Sequence, residues 1–126
     1  VYLQDSGCEI DGLIVYGTPW QREFFNWAFN APEEKLQYVW DNIPEDVDIL
    51  VTHSPPYGYG DFNYEGEKLG SPSLTARIEK IQPKYHFFGH IHEGHGQYMC
   101  GNTLCANVAY VDSRYVPCHS IARFDI

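Results

Sequence analysis

Two short apolar segments that end in histidine constrain the fold of this chain more than any other feature. They are Asp48–His53 and Lys84–His92, and both stop abruptly in loops that contain proline or glycine. Short apolar runs with such ends are typical of buried strands in a parallel sheet. Each segment is therefore predicted to form a strand that delivers histidine to its carboxyl end.

The segment between these strands is predicted to be a helix. Ser71–Gln82 has apolar residues at helical spacing, Ser71 at the N-cap position and Pro83 directly after its end. A strand, a crossover helix and a second strand make the two strands parallel, so their carboxyl ends meet at one edge of the sheet. Ligands of α/β folds bind at this edge. The histidines expected there are His53, His90 and His92.

Composition limits the class of partner. The chain has 126 residues, fitting one small domain or part of a larger one, and 44% of them are hydrophobic, enough for a core. Its net charge of -9 argues against nucleic acid as the main partner. It shows no signal peptide and no apolar run near the roughly 18 residues that span a bilayer. The four cysteines form no CxxC pair, which favours a cytoplasmic protein with reduced thiols over a secreted one with a disulfide.

The rest of the chain is predicted to add one helix and further strands. The helix begins near Pro32 and ends before Pro44. The strands are Val1–Gln4, Gly12–Tyr16, Gly96–Cys100, Thr103–Ala109 and His119–Ile126, with Cys8 near the bend between the first two and a tight turn at Gly101–Asn102.

Two irregular segments lie near the expected site. Trp20–Phe29 is dense in aromatic residues and is interpreted as a core flap, with a platform for substrate stacking as the alternative. Ser54–Gly70 is longer than most loops in compact domains and directly follows His53. We expect it to form a lip of the site.

Histidines gathered at one sheet edge predict a metal site. Neutral imidazole is a good ligand for Zn, Mn, Fe or Ni. The alternative for any single histidine is a loop residue bonded to the backbone. His86 alternates with Tyr85 and Phe87 inside its strand and is predicted to be a core residue.

The motifs around these histidines resemble those of a known family. Thr52–Pro56 and Gly89–His92 resemble the last two motifs of the calcineurin-like metallophosphoesterases. Tyr2–Asp5, Tyr16–Trp20 and Phe88–Gly94 are similar to the small branch related to class III cyclic-nucleotide phosphodiesterases. The resemblance implies an α/β fold: the C-terminal half of a two-sheet sandwich, with mixed sheets flanked by helices.

The resemblance also implies a chemistry. The implied activity is that of a phosphodiesterase or phosphatase with two divalent metal ions. Mn is favoured as the metal over Fe, Zn or Ni. His53 and His90 would bind the second metal and His92 the first, and a metal-held hydroxide would attack the phosphorus of a phosphoester, such as a nucleotide. Candidate substrate-binding residues are Tyr57 and Asp61, on the loop after His53, and His95, with ordinary surface positions as the alternative.

Several family motifs do not occur in this sequence. Asp-x-His and the Gly-Asn-His-Asp/Glu that carries the general-acid histidine are absent, and the Gly-Asp with its bridging aspartate is missing from its place before His53, because Gly60-Asp61 comes after that histidine. Residues 1–126 are therefore expected to be the C-terminal part of a single domain, without a catalytic acid of their own and with little activity alone. We expect association with the missing N-terminal segment or with a second copy.

Two other functions remain open at this point. One is a catalytically impaired scaffold of the same family that binds a nucleotide or a protein. The other is a metallo-β-lactamase-like hydrolase, because the run from His90 to His95 resembles its histidine-rich motif, although Gly94 stands where that motif has aspartate.

Overall fold

The computed structural model describes residues 1–126. Its helices are α1 (Glu33–Asp41) and α2 (Pro72–Ile81), and a short 3-10 helix covers His92–Gly94. Its strands are β1 (Ser6–Ile10), β2 (Leu13–Thr18), β3 (Gln21–Arg22), β4 (Asn30–Ala31), β5 (Ile49–Thr52), β6 (Tyr85–Phe88), β7 (Gly96–Cys100) and β8 (Thr103–Asn107).

Six of these strands form one mixed sheet in the order β1-β2-β5-β6-β8-β7, and β3 pairs with β4 separately. The inner strands β2, β5, β6 and β8 are parallel, whereas the outer strands β1 and β7 are antiparallel to their neighbours. The predicted α/β fold with a mixed sheet is confirmed. Neither helix has the length and apolar character that crossing a membrane requires.

The crossover between the two histidine-ending strands is confirmed as well. Strands β5 and β6 pair in parallel, with Leu50 opposite His86. Helix α2 begins where the sequence predicts, because the Ser71 hydroxyl accepts the N–H of Leu74. It ends at Gln82, which adopts a left-handed conformation with φ of 48°.

One continuous core joins the helices to the sheet. Its fully buried members include Leu36 and Trp40 of α1, Leu74 and Ile78 of α2, and Leu50 of β5. The Trp40 indole N–H also donates to the Ser71 hydroxyl at 3.0 Å, which ties α1 to the start of α2. The carboxyl ends of the central strands are thereby fixed relative to one another.

The N-terminal hairpin differs from the prediction. Val1–Gln4 is not a strand, and Cys8 lies opposite Val15 in the middle of the ladder rather than near a bend. The bend is Asp11-Gly12, with φ angles of 50° and 80°. An Asp-Gly pair favours the two-residue hairpin turn in which both residues have positive φ, and this sets the strand register.

The prediction for the last strand is wrong, whereas those for β7 and β8 are confirmed. β7 and β8 are joined by the Gly101–Asn102 turn, with Cys100 opposite Thr103. His119–Ile126 forms no strand, and its Phe124 ring instead lies 4.8 Å from Phe87. Of its apolar residues, Ile121 and Ile126 are exposed and only Phe124 is partly buried, so this segment lacks the buried face of a strand packed in a sheet.

Candidate functional site

His53 and His90 meet at the carboxyl edge of the sheet. His53 directly follows β5, and His90 follows β6 after Gly89, whose N–H donates to the His53 carbonyl at 3.0 Å. Nε2 of His53 lies 3.2 Å from Nδ1 of His90. His90 has a φ of 65°, a left-handed conformation that a residue with a side chain rarely adopts. Strain of this kind clusters at functional sites.

Desolvation favours the neutral form of both rings. It lowers the pKa of His53, and it lowers the pKa of His90 to about 4, where the nearby His53 and His92 add to the effect. Each neutral ring has one nitrogen lone pair, which is the form that binds metals. Two nitrogens that bind one metal side by side at about 2.0–2.1 Å would lie roughly 3 Å apart. The His53–His90 distance fits such an arrangement.

His92 approaches the same space from the 3-10 helix. Its Nδ1 lies 2.8 Å from the carbonyl oxygen of Asp112. Because a carbonyl only accepts, Nδ1 donates this hydrogen bond, and the neutral ring therefore has its lone pair on Nε2. Metal-binding histidines commonly donate their second ring N–H to a carbonyl in this way.

Residues 1–126 do not by themselves form a complete set of metal ligands. The structure has no group of three or more His, Cys, Asp or Glu side chains placed to hold a metal ion. It offers the His53–His90 pair and, separately, His92. Metal sites in proteins usually have three or four protein ligands, so a complete site needs donors in addition to these.

A cavity of about 590 Å³ contains His53, His90 and His92 in its lining. The Phe24 ring lies 4.9 Å from the His90 ring, and the Trp27 ring lies 6.1 Å from it. Trp27 is 47% exposed and Phe25 is 83% exposed. The interpretation of this aromatic segment as a core flap is therefore wrong for these rings, because Phe24 and Trp27 border the open cavity and Phe25 lies exposed outside it.

The loop Ser54–Gly70 does line the cavity, through Asn63, Tyr64, Glu65 and Leu69. Asp61 is fully buried, and its Oδ2 accepts the Gly70 N–H at 3.0 Å. The Tyr57 ring instead lies under Lys68, whose Nζ is 5.3 Å from its centroid. The structure therefore does not place Asp61 or Tyr57 in the cavity wall, because one closes the loop internally and the other packs outside it.

His95 belongs to a neighbouring cavity of about 520 Å³, which His92 also borders. The His95 ring stacks on His119, with centroids 3.7 Å apart and planes 5° apart. The structure brings His95 close to His119 and not to the His53–His90 pair.

Two buried polar residues, His86 and Asn107, bond to the segments that carry the site histidines. His86 is fully buried as predicted, with Nε2 2.8 Å from the Thr52 hydroxyl, and burial lowers its pKa to about 3. The Asn107 side-chain amide donates to the carbonyls of Gly60 and Ile91 at 2.9 and 2.7 Å. Asn107 thereby fastens the loop after β5 to the loop after β6.

The sequence analysis missed Asp112 and Tyr115, which contact His92 from outside the motifs. The Tyr115 ring lies 5.7 Å from the His92 ring, edge to face. The Asp-Ser pair at Asp112–Ser113 is a turn signal that could have identified this segment. It could not have shown that the turn reaches His92.

Comparisons with known proteins agree with the motifs. Residues 3–94 match the model of the calcineurin-like phosphoesterase family. The UPF0046 protein T07D4.2 of Caenorhabditis elegans is 44% identical over 109 residues, which are 85% of this chain and 28% of that protein. The human metallophosphoesterase domain-containing protein 1 is 41% identical over 120 residues, 93% of this chain and 37% of that protein.

A solved structure, TT1561 of Thermus thermophilus, shares the fold with a TM-score of 0.57 at 17% identity, over 85% of this chain and 48% of that one. The chain spans well under half the length of the two curated relatives described above. The family match covers most of the chain, including the loops that carry all three histidines. This chain belongs to the calcineurin-like phosphoesterase family.

Proposed function

We propose that this chain is part of a metal-dependent phosphoester hydrolase, in which His53 and His90 bind one divalent metal and His92 binds a second. The observation that carries the proposal is the 3.2 Å approach of Nε2 of His53 to Nδ1 of His90 in a cavity of about 590 Å³. Membership of the phosphoesterase family supports the reaction class.

Each histidine has a defined part in this proposal. Desolvation lowers the pKa of His53 and His90, which favours the neutral, metal-binding form of both rings. His92 presents Nε2, because its Nδ1 proton is held by the Asp112 carbonyl. Divalent metals, when bound, stabilise charge on phosphoryl oxygens and activate water for in-line attack. Mn, Fe, Zn and Ni suit the donor set, and Mn is the first to test.

The cavity wall suggests how the ester is held. Phe24 and Trp27 border the His90 ring on one side, and Tyr64 and Tyr115 also line the cavity. These rings would keep water from the reacting phosphoryl group and contact a flat substituent of the ester. A phosphodiester with an aryl or nucleoside group is therefore the substrate class that we propose.

The remaining metal ligands and the general acid are proposed to come from outside residues 1–126. The incomplete ligand set supports this part of the proposal. One sheet face also stays partly open, since Val51 is 40% exposed and Phe87 is only partly buried. An N-terminal segment of the same domain, or a second copy, would cover that face.

The lack of a complete set of metal ligands in this chain also supports a second candidate function. A scaffold that binds a nucleotide or a protein without turnover needs no complete metal site, and this chain alone forms none. The two proposals differ in whether the whole protein hydrolyses phosphoesters.

The test is hydrolysis of an aryl phosphodiester with added Mn by the whole protein that contains this chain. We expect His53→Ala and His90→Ala to lower kcat/KM by more than about 100-fold, since losing an outer-shell partner alone costs about 10- to 100-fold. The control is His119→Ala, which removes a ring from outside this cavity. Turnover that is unchanged in His90→Ala would overturn the hydrolase proposal, and Mn binding without turnover in the unmutated protein would favour the scaffold.

A further inference from the structure

We propose that Asp112 is the positioning residue for His92: its side chain shapes a turn whose backbone carbonyl fixes the His92 ring in one tautomer. The inference rests on the proposed function in so far as His92 is a metal ligand. It concerns a segment, Asp112–Val116, that lies beyond residues 3–94, the part matched by the family model.

The Asp112 side chain builds the turn. Its Oδ1 accepts the N–H groups of Arg114 and Val116 at 2.8 and 3.0 Å. The Asp112 N–H donates in turn to the Val116 carbonyl at 2.9 Å. An aspartate side chain that accepts the backbone N–H of the residue two positions later stabilises a turn at that point. Without this carboxylate, the two N–H groups lose their shared acceptor and the turn loses its main constraint.

The turn delivers one carbonyl to His92. The Asp112 oxygen accepts both the Tyr115 N–H, at 2.9 Å, and the Nδ1–H of His92, at 2.8 Å. The Tyr115 ring meets the His92 ring edge to face at 5.7 Å. No protein group hydrogen-bonds Nε2 of His92. The Asp112 carbonyl at Nδ1 and the Tyr115 ring against the imidazole therefore determine which ring nitrogen keeps its lone pair.

The turn is also held in place from the other side of the cavity. The Tyr64 hydroxyl, on the loop after β5, donates to the Ser113 hydroxyl. Val111 and Pro117 form a bridge that closes the base of the turn. The carbonyl of Asp112 is therefore a fixed acceptor, and the ring of His92 must orient toward it.

The test reads the tautomer directly. In the metal-free whole protein that contains this chain, ¹⁵N chemical shifts should show that the neutral form of the His92 ring carries its proton on Nδ1. Asp112→Ala should let a large fraction of His92 carry the proton on Nε2 instead. Asp112→Asn should retain the unmutated signature, because its amide oxygen replaces Oδ1 as the acceptor.

Two results would overturn the inference. One is a neutral His92 ring that carries its proton on Nε2 in the unmutated protein, a measurement that needs no variant to fold. The other is an unchanged Nδ1–H signature in a folded Asp112→Ala. A merely structural role for Asp112 would change the unfolding midpoint but leave the tautomer as it is.

Metal titration of the whole protein separates this inference from the proposed function. Asp112→Ala should weaken binding at the His92 site by about 10- to 100-fold, as expected for loss of an outer-shell partner. If the tautomer shifts in Asp112→Ala but the unmutated protein neither binds metal nor hydrolyses phosphoesters, the positioning role stands and the proposed function fails. If hydrolysis is normal and the tautomer stays unshifted, the proposed function stands and the positioning role fails.

Discussion

Nε2 of His53 and Nδ1 of His90 lie 3.2 Å apart although the two residues are 37 positions apart in sequence. The parallel pairing of β5 and β6 produces this approach, because both residues follow strands that end at one edge of the sheet. Without a cation, one ring can donate its N–H to the other. With a cation, both lone pairs can bind it.

The first prediction follows from this pair. Replacement of His90 by alanine removes one of the two nitrogens, so the affinity of the whole protein for Mn should fall by more than about 100-fold at the corresponding site. Isothermal titration measures the change. His119→Ala, which leaves the pair intact, should bind Mn like the unmutated protein. Equal affinities of the His90 and His119 variants would contradict the metal assignment.

The second prediction concerns the close packing of two loops. A Cβ at Gly94 would overlap the carbonyl oxygen of Gly60, which Asn107 also contacts. Gly94→Ala should therefore lower the free energy of unfolding by about 1–3 kcal/mol, the usual cost of overpacking. Urea titration followed by tryptophan fluorescence measures it.

Gly89→Ala is the matched control for Gly94→Ala. A Cβ at Gly89 has no heavy atom within 4 Å, and its φ is not positive. The free energy of unfolding should stay within about 1 kcal/mol of the unmutated value. If both substitutions lower the free energy of unfolding equally, the contact with the Gly60 carbonyl is not the reason that position 94 requires glycine.

The third prediction concerns pH. Burial lowers the pKa of His86 from 6.5 to about 3 in the folded chain. Between these values the unfolded chain binds a proton at His86 that the folded chain does not, so the free energy of unfolding falls as pH falls. The loss from His86 approaches about 1.4 kcal/mol per pH unit. His53 and His90, whose pKa values are also lowered, add to the loss with the same sign.

The measurement compares urea unfolding of the unmutated chain and His86→Gln at about pH 5 and about pH 7. The variant should be less stable at neutral pH, because Thr52 loses a buried hydrogen-bond partner. Between these two pH values, its dependence on pH should be weaker by about 1 kcal/mol per unit on average, because the full slope is reached only well below pH 6.5. Parallel slopes for the unmutated chain and His86→Gln would refute the buried-histidine explanation.

The fourth prediction tests the aromatic border of the cavity. Trp27→Ala should raise KM for an aryl phosphodiester by about 2- to 10-fold, since an aromatic contact contributes about 0.5–1.5 kcal/mol. The free energy of unfolding should fall by about 0.5–1.5 kcal/mol, because the half-buried ring also packs against Phe24 with centroids 5.0 Å apart. Phe25→Ala removes a ring that is 83% exposed and does not line the cavity, so its KM should be unchanged.

The central unit of the fold could be predicted from sequence because its signals are local. Ser71 caps α2, and the apolar runs of β5 and β6 stop at loops. The approach of His53 to His90 then follows from topology alone. The N-terminal hairpin could also have been placed correctly, since Asp11-Gly12 is a strong turn signal.

Other parts of the site depend on contacts that leave no local signature. Asp61 is polar and lies on a loop, yet it is fully buried because it accepts the Gly70 N–H. Asp112 acts on His92 through a backbone carbonyl, an atom that every residue has. Which loop residues face the cavity is decided by long-range packing, and Asn107 contributes to that packing from a different strand.

Because a crossover helix separates His53 from His90, the two rings come together only at a late stage of folding, and a cation could bind to both only then. Both rings can bind the same ion only after β5, α2 and β6 have docked, because an unfolded linker of this length leaves them far apart on average. An ion bound by the pair would therefore stabilise the finished sheet selectively, to a degree that depends on its free concentration. Cellular metal supply would then influence how much of the protein persists, in addition to how fast it works.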